Sequence, residues 1–130
     1  MATDPVFAST PKVGSALPGT ADTSLTAPSN QVTVLTAATA GTKIEEVRVQ
    51  GVGTTVAGVL NLFRYDGATY HLIDQFLITA VTSSATALAF QQTRTYANLW
   101  LVSGDTLRAS QTIAGNASML KVTAFGADLT

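Results

Sequence analysis

From Gln31 onward the apolar residues come in short runs that mostly alternate with polar ones, the period of strands rather than helices. Val32 to Leu35 reads as a first strand. After the turn Ala40-Gly41-Thr42, the segment from Ile44 to Gln50 places Val47 and Val49 on one face and Glu46, Arg48 and Gln50 on the other. Val56 to Tyr65 is apolar on both parities, with Leu60 and Leu62 opposite Val59, Phe63 and Tyr65. Asp66-Gly67 signals a hairpin, because both residues tolerate the positive φ of tight turns. Tyr70 to Thr79 runs back with Tyr70, Leu72, Phe76 and Ile78 on one parity. Further strands are predicted at Ala85 to Gln92, Tyr96 to Val102, Thr106 to Ile113 and Met119 to Gly126, separated by Ser103-Gly104-Asp105 and Ala114-Gly115-Asn116. Gly51-Val52-Gly53 reads as a hairpin turn. Eight short strands with turn signals every 8–12 residues or so predict an all-β, antiparallel β-sandwich, an eight-stranded jelly roll first and an immunoglobulin-like sandwich second.

Residues 1–29 break this pattern. All four prolines lie there, at positions 5, 11, 18 and 28, among Gly, Ser, Thr and Ala. Proline lacks an N–H and is excluded from the middle of a sheet. The division predicted is therefore an extended or flexible N-terminal arm over 1–29, followed by a sandwich over 30–130. If the arm crosses a neighbouring subunit, Val6, Phe7 and Leu17 are its anchoring side chains.

The chain's 130 residues suit one domain. Charge changes the picture more than length does. Only 12% of the residues are charged and the net charge is −1, against about 25% charged in an ordinary soluble domain. A surface so poor in Lys and Arg argues against nucleic acid and against electrostatic docking on a membrane. No apolar run approaches the roughly 18 residues that span a bilayer, and the first residues do not read as a secretory leader, so assembly in a cytoplasm is expected. Low charge, together with strands that are apolar on both faces, predicts a surface covered by other protein, with a neighbouring subunit as the simplest second cover.

Little in the chain suggests chemistry. Cysteine is absent, which removes disulfides, thiol nucleophiles and thiolate metal sites. The single histidine, His71, could build a zinc site only with carboxylate help. Glu45 and Glu46 are adjacent and on a strand would point to opposite faces. Asp66 and Asp105 each stand beside a turn glycine. No Gly-x-Ser-x-Gly elbow is present to make His71 the base of a triad. The expectation is a non-enzymatic protein with no cofactor. Of the aromatic residues on predicted strands, Tyr65 and Tyr70 flank the hairpin tip and are the candidate loop-end contacts for a sugar or a partner loop.

Four stretches carry a resemblance. They are Gly41-Thr42-Lys43-Ile44-Glu45-Glu46-Val47-Arg48-Val49, the run from Gly53 to Gly67 (GTTVAGVLNLFRYDG), the run that starts at Leu99 (LWLVSGDTLRAS), and the ending Val122-Thr123-Ala124-Phe125-Gly126-Ala127-Asp128. Together they resemble small jelly-roll virion proteins of tailed bacteriophages over about residues 30–128, with the arm outside the match. The resemblance implies a structural role, above all capsid decoration (cement), as a homotrimer seated on the major capsid protein at the outer surface of the virion. Tail-fibre or baseplate modules that bind a receptor or glycan share the architecture and are the alternative. The resemblance brings no catalytic or metal residue with it.

Overall fold

The computed structural model describes residues 8–129. Its eight strands are β1 (Ala8–Ala16), β2 (Val32–Thr36), β3 (Thr42–Gly51), β4 (Gly58–Tyr65), β5 (Tyr70–Ile78), β6 (Gln91–Leu101), β7 (Thr106–Gln111) and β8 (Leu120–Leu129). The only helical element among the described residues is a 3-10 turn at Ala114–Asn116. The strands form two antiparallel four-stranded sheets, ordered β1-β8-β3-β6 and β2-β7-β4-β5. Alternation does what it should in the middle of each sheet. Ile44, Val47 and Val49 of β3 and Leu120, Val122 and Ala124 of β8 face Leu60 and Leu62 of β4 and Leu107 and Ala109 of β7 across a single apolar core. The fold is thus an all-β sandwich, as the hydrophobic pattern predicts.

The prediction and the structure part at the N-terminus. The segment read as an arm outside the sandwich is, from Ala8 onward, bonded into it. β1 pairs with β8 along eight positions, from Ala8 opposite Leu129 to Ala16 opposite Val122. Pro11 sits in this strand, opposite Ala127. Proline is tolerated there because β1 is an edge strand and one side of its backbone has no ladder to complete. The following residues are strapped to the same chain: Gln111 Nε2 donates to the Gly19 carbonyl at 2.7 Å, the Asp22 N–H donates to the Gln111 carbonyl at 2.8 Å, and the Ser118 N–H donates to the Pro18 carbonyl at 2.9 Å. Gly14 brings the edges of the two sheets together. A Cβ at this position would lie 2.2 Å from the Val34 carbonyl oxygen of β2, a contact only glycine can make.

Three further differences come from irregular backbone. The segments expected as separate strands at 85–92 and 96–102 are a loop and then one long strand, β6. The predicted break at residues 93–95 falls inside β6, where Thr93, Arg94 and Thr95 pair with Arg48, Val47 and Glu46; further along, Tyr96, Ala97 and Asn98 together oppose the single residue Glu45 of β3, a bulge that resets the alternation. β5 carries a second irregularity: Leu72 pairs with Phe63 and Asp74 with Leu62, so Ile73 is extra. Phe76 and Ile78 consequently face the core while Tyr70 and Leu72 turn to the outer face, although all four share one parity in the sequence. Finally, Gly51-Val52-Gly53 does not close a hairpin. β3 and β4 belong to different sheets, so this segment crosses between them.

Candidate functional site

The outer face of the sheet β2-β7-β4-β5 carries the aromatic residues that the sequence places at the hairpin tip. Tyr65 ends β4 and Tyr70 starts β5, and they are register partners. Their rings stack at 4.2 Å with an interplanar angle of 29°. From the other side β7 supplies Arg108, whose guanidinium carbon lies 4.5 Å from the Tyr65 ring centre. Arg108 is fixed by two donated hydrogen bonds, Nε to Thr106 Oγ1 at 2.9 Å and Nη1 to Gln31 Oε1 at 3.0 Å. Phe63 lies next in the row, edge-on to Tyr70 at 5.8 Å. Tyr65 and Tyr70 are therefore brought together and half-buried, with part of each face spent on the other ring.

This arrangement also answers the question of the second cover. Phe63 is 0% exposed, yet it does not belong to the central core. Tyr70, turned outward by the irregularity at Ile73, packs against it. For this residue the cover expected from a neighbouring subunit comes from the chain itself.

The hairpin is held by Asp66. Its Oδ1 accepts the N–H groups of Ala68 at 2.9 Å and Thr69 at 2.8 Å, and its Oδ2 lies 3.0 Å from His71 Nε2. These donors, the Thr69 N–H foremost, hold the Asp66 carboxyl well below the ordinary value of 3.8. Asp22 is lowered mainly by the Asn30 and Ser24 N–H groups, and Asp128 mainly by the Thr42 hydroxyl with Lys12 nearby. All three groups take up protons more readily in the unfolded chain. Their contribution to stability is complete above the unfolded value near 3.8 and is lost as pH falls through the lower folded values. The protein is accordingly expected to lose thermal stability on acidification below about pH 4. A melting curve that stays flat from pH 6 to pH 2 would contradict these assignments.

His71 is thus engaged with Asp66 at the hairpin, and Asp105 accepts hydrogen bonds from the Val102 N–H and Arg64 Nη1 at a turn. Glu45 and Glu46 pair with Lys43 and Arg48. Among the described residues no group of three or more His, Asp or Glu side chains is placed to hold a metal ion. No helix among them is long and apolar enough to cross a membrane. Of the proposed anchors, Val6 and Phe7 lie outside the described residues. Leu17 lies just past β1 and is 41% exposed.

Sequence reasoning missed the flank where the two sheets end in β5 and β6. The irregularities at Ile73 and at Tyr96–Asn98 open a mostly apolar cavity of about 320 Å³, lined by Ile73, Tyr96, Ala97, Asn98 and Leu99. Beside it Asp74 of β5 clamps β6: Arg94 Nη1 donates to Asp74 Oδ1, and the Tyr96 hydroxyl donates to Asp74 Oδ2 at 2.6 Å. Arg94 Nη1 also donates to the Gln75 carbonyl at 3.1 Å, and its guanidinium lies 4.7 Å from the Phe76 ring centre. Burial, with Asp74 adjacent, pushes the Tyr96 phenol far above its ordinary value of 10. The neutral phenol stabilises the fold up to about pH 10, and that contribution is lost as pH rises further. Tyr96→Phe is expected to lower stability by about 2 kcal/mol, the worth of a hydrogen bond to a charged acceptor. Chemical denaturation at pH 7 measures it. The only sequence signal for this clamp is that Asp74 and Arg94 are the two charges bounding a long uncharged stretch.

Comparison with known proteins does not place the chain in a family: no family model, no curated protein and no solved structure matches it.

Proposed function

We propose that the chain is a virion structural protein, a capsid decoration (cement) protein that binds the outer surface of a phage head as a homotrimer and stabilises the shell. The observation that carries this reading is the strand pairing. β1 lies beside β8, β2 beside β7, β3 beside β6 and β4 beside β5, every pair antiparallel. That nesting is one long hairpin wound round a core, which supports a jelly roll over the immunoglobulin-like alternative. The same winding is what the phage resemblance implies. The low charge fits a protein that works by packing against others, because a desolvated charge without a partner is costly at an interface.

The mechanism is thermodynamic. A protein that binds the assembled shell and not its separated subunits lowers the free energy of the shell alone, by an amount that grows with occupancy. The major capsid protein is the partner, the virion surface is the place of action, and no catalytic step is involved. Purified protein added to undecorated heads is expected to sediment with them and to raise the temperature at which they open. Binding to tails but not to heads would overturn this reading.

A tail-fibre or baseplate module is the second reading, and the half-exposed stack of Tyr65, Tyr70 and Arg108 is the observation that favours it. Such stacks present ring faces and a fixed guanidinium to a sugar. It predicts glycan binding that Tyr70→Ala abolishes. A glycan array on which the protein binds nothing would count against it.

A further inference from the structure

We propose that Arg108, with the hydroxyl groups ranged beside it on the outer face of the β2-β7-β4-β5 sheet, binds the carboxylate of an acidic saccharide. The inference deepens the second reading above by naming the class of sugar, and it rests on that reading. It does not depend on which part of a particle carries the protein.

The first observation is a cation without a counter-charge. Arg48 pairs with Glu46, Arg64 with Asp105 and Arg94 with Asp74. Arg108 alone of the four arginines has no carboxylate partner among the described residues. It is half-buried, and the groups that hold it are neutral: Gln31 Oε1, Thr106 Oγ1 and the Tyr65 ring. A charge partly withdrawn from water is costly to leave uncompensated. The carboxylates at the same end of the sandwich are already engaged. Asp66 accepts from the Ala68 and Thr69 N–H groups and meets His71, and Asp105 accepts from the Val102 N–H and Arg64. The compensating charge is left for a ligand to bring.

The second observation is the fixed direction of the free donors. Nε donates to Thr106 and one Nη1 hydrogen to Gln31, which leaves the other Nη1 hydrogen and both on Nη2. Nη2 has no partner among the described residues, yet it is not one of the buried unpartnered polar atoms, so it is open to solvent. Paired N–H groups of a planar guanidinium match the two oxygens of a carboxylate. The side chain is already held, so little conformational freedom is lost on binding. One isolated cation suits one negative charge. A phosphate monoester carries nearly two, and a nucleic-acid backbone calls for a row of cations.

The neighbours of Arg108 select a sugar over an acidic peptide. Thr33 of β2 is the register partner of Arg108, and Thr36 is that of Thr106. Both are exposed, and among the described residues neither hydroxyl is taken up by a neighbour. The Tyr70 hydroxyl is likewise free among them. Such groups both donate and accept, as the hydroxyls of a saccharide require of their partners. Leu72 lies in the same cross-strand row as Phe63 and Arg108 and is 37% exposed. With the half-buried Tyr70 it offers apolar surface to the C–H face of a sugar ring.

The test titrates the full chain with sialylated and uronic-acid oligosaccharides, each beside its carboxyl methyl ester, and with an acidic peptide. Two variants accompany the parent. Arg108→Gln removes the cation. Thr33→Glu, at an exposed position, keeps all the packing and supplies a carboxylate of the chain's own beside Arg108. Melting curves confirm that both variants are folded. The parent is expected to bind acidic saccharides at least about tenfold more tightly than their esters, the worth of a charge-assisted pair of hydrogen bonds. Each variant should lose that preference. Acid and ester bound equally well would overturn the carboxylate site and leave the glycan reading standing. Binding of the acidic peptide but of no saccharide would overturn the choice of sugar as ligand. No binding of any saccharide, acidic or esterified, would overturn this site and the glycan reading together, and would leave the capsid reading untouched.

Discussion

Replacing Phe63 by alanine is expected to cost about 3–5 kcal/mol of stability, the loss usual for a buried phenylalanine. The residue is fully buried although it points away from the central core. Its truncation leaves a void under Tyr70, whose ring packs edge-on against it and stacks on Tyr65. The row that ends at Arg108 would lose its base. Phe63→Leu should cost much less, since it keeps most of the volume. Leu88→Ala, at a side chain that touches little, should stay within about 0.5 kcal/mol of the parent. Equilibrium urea unfolding of the three variants checks the ranking. If Phe63→Ala were as mild as Leu88→Ala, Phe63 would not be packed as described.

Removing residues 1–16 should be at least as damaging. A dispensable arm would leave the sandwich untouched, whereas β1 is one of its strands. The eight paired positions with β8 disappear, and so does the close approach of Gly14 to Val34. At about 1 kcal/mol net for each backbone hydrogen bond, the loss should exceed about 4 kcal/mol. That is a large share of the roughly 5–15 kcal/mol that holds a domain together. The stripped edge of β8 would also become free to pair with other chains, so aggregation on heating is expected. Circular dichroism melting of the truncated chain measures the effect. An unchanged melting temperature would return the segment to the role of an arm.

Phe63 and β1 are also the features least visible in the chain itself. The central strands were legible because both their faces obey a period of two. Val47 and Val49 of β3, and Leu60 and Leu62 of β4, face the core as their spacing requires. Gly67 at the hairpin tip adopts a φ of +96°, as the Asp-Gly signal implies. Legibility failed where backbone irregularities reset the period. The extra residue Ile73 sends Tyr70 and Phe76 to opposite faces, and the bulge at Tyr96–Asn98 shifts the alternation within β6. Neither irregularity contains a glycine to mark it, and Ile73 and Tyr96 are ordinary strand residues. β1 was hidden for a different reason. Pro11 reads as a breaker unless the strand is known to lie at an edge, and edge position is a property of the whole topology. Of the candidate contacts, the pairing of Tyr65 with Tyr70 followed from the hairpin. Arg108 is distant in sequence and joins them only through the β4–β7 ladder.

The same irregularities that hid the β5–β6 flank from the sequence also shape it. Two edge strands that bulge at one level cannot close over each other, and the gap between them is the cavity. Asp74, Arg94 and Tyr96 tie the edges together beside that gap. Bulges on edge strands also deter indiscriminate strand pairing.

The central claim is that this protein acts as a building block on the outside of a phage head. A reconstruction of the native particle by electron microscopy tests it most directly. The account predicts sandwich-shaped density in threefold clusters on the outer surface of the shell, resting on the major capsid protein. Density for the protein on the tail alone, with a bare head, would contradict it.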